Sequence, residues 1–146
     1  MTLLWHGDEP IGVCVFASPA ASLTLRTRYF KLTNPRSEIG MRGLNANLWL
    51  LQRVVLHPTY RGAGIAAAFV RRACELCPVD WIETLTAMGR VNPFFERAGF
   101  VRVGVIRKRD GSGGAYIRRG KSEPVTHQYS EPAYYVRDNR GVTPAP

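Results

Sequence analysis

The chain has 146 residues, 45% of them hydrophobic, enough to bury one full core without disulfide or metal staples. Twenty Lys and Arg against eleven Asp and Glu give a net charge of +9, a balance that favours polyanionic partners. No apolar run reaches the ~18 residues a membrane span needs, no secretory signal opens the sequence, and three cysteines, an odd number, fit a reducing cytoplasm better than a disulfide framework.

In chain order, Thr2 to Trp5 reads as a first strand, and Gly7-Asp8-Glu9-Pro10 as a hairpin turn into a valine-rich strand from Ile11 to Ala17. Ala20 to Asn47 is a long basic connection. Its Leu23, Leu25 and Tyr29-Phe30 suit a short helix or strand, and Asn34-Pro35-Arg36-Ser37 punctuates it. Leu48 to Leu56 is an apolar central strand. The helix from Gly64 to Cys77 carries Ile65, Phe69, Ala73 and Cys77 on one face, with Ala66 and Val70 beside them. Trp81 to Thr86 is the next strand. A helix follows from Asn92 to Ala98, with Asn92 as N-cap and Pro93 at its first position. Val101 to Ile106 is a strand, Asp110 to Gln128 a polar span, and Ala133 to Val136 the last strand. Residues 1–140 read as a single domain and 141–146 as a tail.

Between the central strand and the long helix stands Arg61-Gly62-Ala63-Gly64-Ile65-Ala66. Two glycines where a strand feeds a helix let backbone N–H groups approach a phosphate closely. The helix dipole and the planar fork of Arg61 add positive charge. This is a pyrophosphate-binding turn, yet neither a Walker A loop nor a G-x-G-x-x-G fingerprint. Cys74 and Cys77 have C-x-x-C spacing, but no second pair accompanies them and they fall in a helix, so buried thiols are expected rather than a zinc or redox site.

Together His57-Pro58-Thr59-Tyr60, the Arg-Gly-x-Gly-Ile-Ala turn and Phe94-Phe95-Glu96-Arg97-Ala98-Gly99-Phe100 resemble the GNAT superfamily of acyl-CoA-dependent N-acetyltransferases. A separation of roughly 30 residues leaves room for one helix and one strand between the two motifs. The stretch Ala87-Met88-Gly89-Arg90 with the element that follows also resembles GNAT domains found beside or fused to ABC-type ATPases in bacteria and phages. The resemblance implies an α/β (α+β) fold: a mixed, mostly antiparallel twisted sheet, helices on both faces, splayed central strands. The family's usual opening strand and two helices have no counterpart ahead of the hairpin, and Ala20 to Asn47 is expected to replace the wall they form. A partner chain, as in a homodimer, is the other source of that wall.

The resemblance implies acetyl-CoA as acyl donor and an amine as acceptor. Val54, Val55 and Leu56 would pair with pantetheine amides, Arg61, Gly62, Ala63, Gly64, Ile65 and Ala66 would take the pyrophosphate, and Asn92 and Phe95 would complete the cofactor site. Phe95 stands where many members carry a tyrosine that protonates the leaving thiolate, and it has no proton to give. Tyr134 and Tyr135 are the alternative acids. Glu83 is the leading candidate base, set against an exposed carboxylate or a partner for Arg53, and His57 ranks below it. No metal-ligand cluster is visible. Three function classes remain: an N-acetyltransferase acting on a small amine or protein amino group, a GNAT enzyme modifying nucleic acid or aminoacyl-tRNA, and a non-catalytic acyl-CoA-binding subunit. The second is motivated by the third of the chain from Val101, where nine basic residues face four acidic ones.

Overall fold

The computed structural model describes residues 1–90, 92–106 and 131–141. Six strands form one sheet: β1 (Thr2–His6), β2 (Glu9–Ala17), β3 (Leu48–Leu56), β4 (Trp81–Thr86), β5 (Val101–Val105) and β6 (Ala133–Asp138), in the order β1-β2-β3-β4-β6-β5. Every neighbouring pair is antiparallel except β3 and β4. That is the mixed, mostly antiparallel sheet expected. Among the described residues no helix is long and apolar enough to cross a membrane.

Helices cover both faces, and strand alternation explains which residues meet them. On β4, Ile82 joins the core with Phe69, Val70, Ala73 and Cys74 of α3 (Ile65–Glu75). Its neighbour Glu83 points the other way, to Arg26 of α1 (Thr24–Tyr29). The same division holds on β6, where Tyr135 lies in the α3 core and Tyr134 reaches Glu83. Helix α4 (Phe94–Arg97) packs beside α3.

The segment between β2 and β3 departs from expectation. It holds two helices, α1 and α2 (Glu38–Asn47). Helix α2 was not legible because Gly40 and Gly43 lower its propensity. Its start was written in Ser37, whose hydroxyl accepts the Gly40 N–H at 3.0 Å as an N-cap. Two further boundaries are corrected. Pro93, not Asn92, is the N-cap of α4, which ends at Arg97. Cys77 falls beyond α3, and Asn139 secures the helix end and the turn after it: its amide donates to the Cys74, Cys77 and Val79 oxygens at 3.0, 3.2 and 3.3 Å.

A buried ion pair fastens α1 to the sheet. Arg26 Nε donates to Glu83 Oε2 at 2.9 Å and Nη2 to Oε1 at 2.7 Å, with the two residues 2% and 1% exposed. Tyr134 donates to Oε2 at 2.8 Å, and Arg26 Nη1 to the Ala20 carbonyl at 2.6 Å. Such a pair does little net work against an apolar substitute, but losing one member strands a buried charge. Arg26→Met is therefore expected to lower the unfolding free energy by about 3–5 kcal/mol. Combining it with Glu83→Gln, which removes the charge but keeps an acceptor for Tyr134, should recover much of that loss. Denaturant midpoints test both, and an Arg26→Met chain as stable as the parent would show the pair to be solvated.

Candidate active site

The parallel strands β3 and β4 stay together for three residue pairs only, Leu48–Trp81, Trp49–Ile82 and Leu50–Glu83. Beyond them the strands part. At the fork Thr84 Oγ1 donates to the Leu51 carbonyl at 2.9 Å, so a side chain stands where a ladder bond would continue. On its other edge β3 remains paired with β2 as far as Leu56–Gly12, with a bulge that leaves Gln52 unmatched between Leu51–Phe16 and Arg53–Val15. The bulge reverses side-chain parity. Trp49 and Leu51 pack on the α3 side before it, Val54 and Leu56 after it. No periodicity in Leu-Gln-Arg-Val announces this extra residue. The consequence is a wedge whose β3 wall, from Leu51 to Leu56, has no strand on its β4 side among the described residues.

At the open end, His57 donates its backbone N–H to the Ile11 carbonyl at 2.7 Å, and Pro58–Tyr60 make one 3-10 turn. Gly62 and Gly64 then adopt φ of 84° and 77°, a left-handed backbone that side chains resist. Neither would meet an atom within 4 Å if given a Cβ, so the space above both is open. Gly64 is the N-cap of the 11-residue α3 and offers it no side-chain cap, which leaves the first N–H groups of the helix without an intrahelical acceptor. Arg61 is fixed beside them by an Nε donation to the Leu56 carbonyl at 3.1 Å. Its backbone N–H, expected to face a phosphate, is instead spent on the Pro58 carbonyl at 3.1 Å. Gly62 to Ala66 remain.

The other predicted residues divide. Val54 is half-buried and Val55 exposed on the free wall. Asn92 is exposed ahead of α4 and gives its N–H to Met88 at 3.0 Å. Phe95 is only 4% exposed, with Phe100 and Tyr135 rings 5.5 and 5.7 Å away, so it belongs to the core rather than to an open cofactor surface. Glu83 lies at the last paired position of the fork, held by Arg26 and Tyr134; it is neither an exposed carboxylate nor a partner of Arg53. The Tyr135 hydroxyl donates toward Glu96 at 2.9 Å and the Gly89 carbonyl at 3.2 Å. Burial and the Glu96 bond push that phenol up to about 12, and burial with the Glu83 charge raises Tyr134 further. Both are protonated at neutral pH. Sequence reasoning missed Arg26, whose partner lies 57 residues away.

Of the basic residues counted from Val101, Arg137 is buried, donating to Ala98 and facing Glu75 at 3.6 Å, and Arg140 pairs with Asp138 at 2.7 Å. Arg107, Lys108, Arg109, Arg118, Arg119 and Lys121 lie outside the described residues, as does the polar span from Asp110 to Gln128. All three cysteines are buried and free. Among the described residues no group of His, Cys, Asp or Glu is placed to hold a metal.

No protein-family model and no curated protein matches the chain. Its structure is similar to that of a histone acetyltransferase HPA2 and related acetyltransferase from Corynebacterium glutamicum, at 16% identity and a TM-score of 0.47. The match covers 94% of this chain and 60% of that one, so the chain spans less than two thirds of that protein's length.

The buried thiols set an alkaline limit. Burial raises Cys14 from the ordinary 9.0 to about 12 and Cys77 to about 11. Unfolded thiols lose their protons first, so the native state binds more protons above that point. Stability should be complete below about pH 9 and decline as pH rises through 11–12. The denaturant midpoint followed against pH checks this; a midpoint constant to pH 11 would mean the thiols are open to water.

Proposed function

We propose that this chain is an acyl-CoA-dependent N-acetyltransferase of GNAT type, moving an acetyl group from acetyl-CoA to an amine. One observation carries the reading: the free wall of β3 leads, through the single 3-10 turn Pro58–Tyr60, to the Gly62–Gly64 turn at the uncapped start of α3. A long ligand with amides at one end and a pyrophosphate at the other fits both. Strand-like amides complete a sheet edge, and a phosphate suits N–H groups at a helix start.

Val54, Val55 and Leu56 would hold the pantetheine amides through their backbone. The N–H groups of Gly62, Ala63, Gly64, Ile65 and Ala66 would hold the pyrophosphate, with the Arg61 guanidinium beside them. Asn92 is the remaining polar contact we assign. Bound there, acetyl-CoA supplies an activated thioester carbonyl to an incoming amine. Backbone N–H groups of the central strand orient and polarise that carbonyl oxygen. Proton handling is left to water and to the acceptor itself. Glu83 is spent on Arg26 and on the Tyr134 hydroxyl. Phe95 has no proton, and the Tyr135 proton is committed to Glu96 and Gly89. A thiolate with a conjugate-acid pKa of about 8.5 can leave unassisted near neutral pH. In this scheme α1 and α2 wall the acceptor side, and the free cysteines suit a reducing, cytoplasmic setting.

The same two facts, a core Phe95 and a locked Glu83, support a second reading: acyl-CoA binding without turnover. Release of CoA thiol from acetyl-CoA in a mixed amine panel separates the two. The shared cofactor claim is tested first by thermal unfolding. Acetyl-CoA at 100 times its dissociation constant should stabilise the native state by about 2.7 kcal/mol, roughly 5–10 °C for a chain of this length. Gly64→Val, strained at φ 77° but not crowded, should fold and lose the shift. An equal shift in parent and variant would remove the pyrophosphate assignment.

A further inference from the structure

The segment that joins β2 to β3 carries more than the wall of a cleft. Phe30, Leu32, Ile39 and Leu44 line an apolar cavity of about 320 Å³ closed by Leu48 and Trp81. Three aromatic rings stand at its edge. Phe30 meets Trp81 edge-on at 5.0 Å, Tyr29 meets Phe30 at 4.9 Å and Trp81 at 6.5 Å, and Arg140 lies over the Trp81 ring at 4.5 Å. Tyr29 is 41% exposed. A second cleft of about 380 Å³ shares Pro35 with the first and is lined by Ser22, Thr24, Thr27, Arg28 and Arg36. It is cationic and rich in hydroxyls, and Arg36 Nη2 is poised across it, donating to Ser22 Oγ at 2.8 Å.

Charge here is unbalanced. Between residues 20 and 47 stand Arg26, Arg28, Lys31, Arg36 and Arg42 against Glu38 alone. Arg26 is committed to Glu83 and Arg42 to Glu38. Among the described residues no carboxylate pairs with Arg28, Lys31 or Arg36. Lys31 and Asn34 hold left-handed backbone, φ 50° and 52°, in the loop that carries these cations. For side chains other than glycine that conformation is uncommon.

From these observations we propose that the α1–α2 segment binds single-stranded nucleic acid, a base against the Tyr29–Phe30–Trp81 edge and adjoining phosphates on Arg28 and Arg36. Aromatic rings interleaved with unpaired cations are the chemistry that grips bases and backbone together. A duplex hides its base faces and offers only phosphates. An acidic peptide would satisfy the arginines but has no planar group in every repeat for the aromatic edge. The site is separate from the one assigned to the pyrophosphate. The cavity touches Leu48, the first residue of β3, and the Gly62–Gly64 turn follows its last, Leu56. At about 3.3 Å per residue the two lie some ~25 Å apart. The proposal also does not depend on acetyl transfer, because binding is measured without acetyl-CoA.

The test uses fluorescence anisotropy with end-labelled single-stranded DNA and RNA of one sequence, and the matching duplex as competitor. The whole chain is expected to bind single strands at ~50 mM salt and to release them steeply as salt rises. The tighter of the two sugars identifies the natural class. Arg28→Ala with Arg36→Ala, both on the surface, should flatten the logarithmic salt slope by about 1.4, at ~0.7 per lost phosphate contact. Tyr29→Ala should weaken binding about 5- to 150-fold with the slope unchanged. Absence of binding at low salt, an unchanged slope in the double variant, or a duplex that competes as well as a single strand overturns the proposal.

Discussion

Two parallel strands that pair for three residues and then separate leave backbone groups that neither strand can satisfy, and the molecule is arranged around that separation. Antiparallel β2 keeps one edge of β3 straight, while the Gln52 bulge turns the far half. Thr84 closes the fork with a hydroxyl in place of an amide. Antiparallel β6 holds β4 along all six of its residues, so β4 cannot swing back to β3. The wedge is thus held open by what lies on its outer sides rather than by anything within it.

The α1 side of the sheet depends on a second constraint. Glu83 sits at the final pair of the fork, and the guanidinium of α1, with the Tyr134 hydroxyl, makes its burial tolerable. That ion pair ties α1 to β4, and the Phe30–Trp81 contact beside it joins the same segment to the start of that strand. A group read from sequence as chemically active is here an anchor. Its chemistry is used to place a segment of chain that lacks buried apolar residues of its own: neither α1 nor α2 contributes an aliphatic side chain to the buried core.

Legibility in the sequence followed the range of the interactions. The Arg61–Ala66 turn and α3 were readable because glycine placement and 3.6-residue periodicity are local signals, and all six described strands announced themselves as apolar runs between turn residues. Helix α2 was hidden by Gly40 and Gly43 although Ser37 marked its start. The Gln52 bulge has no local signal, since only pairing with Phe16 and Val15 reveals the extra residue. Arg26 and Glu83 could not be matched across 57 residues, nor could the core placement of Phe95 beside Tyr135, because both are set by strand order. The glycine turn was therefore visible, and the partners of Glu83, Tyr134 and Tyr135 were not.

Strand order also bears on how the chain reaches this state. Strand β6, the last of the six described, lies between β4 and β5, both earlier in the chain. Until it arrives, β4 exposes an edge, β5 has no partner, and the carbonyls at the end of α3 wait for Asn139. A nascent chain stopped short of Ala133 cannot close its sheet, and its apolar Ile82 and Val101 strands face solvent or one another's copies. Long-range pairing of this kind slows folding and exposes edges to aggregation. Strand β6 is the keystone of this half of the sheet: losing Ala133–Asp138 would unpair β4 on one side and β5 on the other.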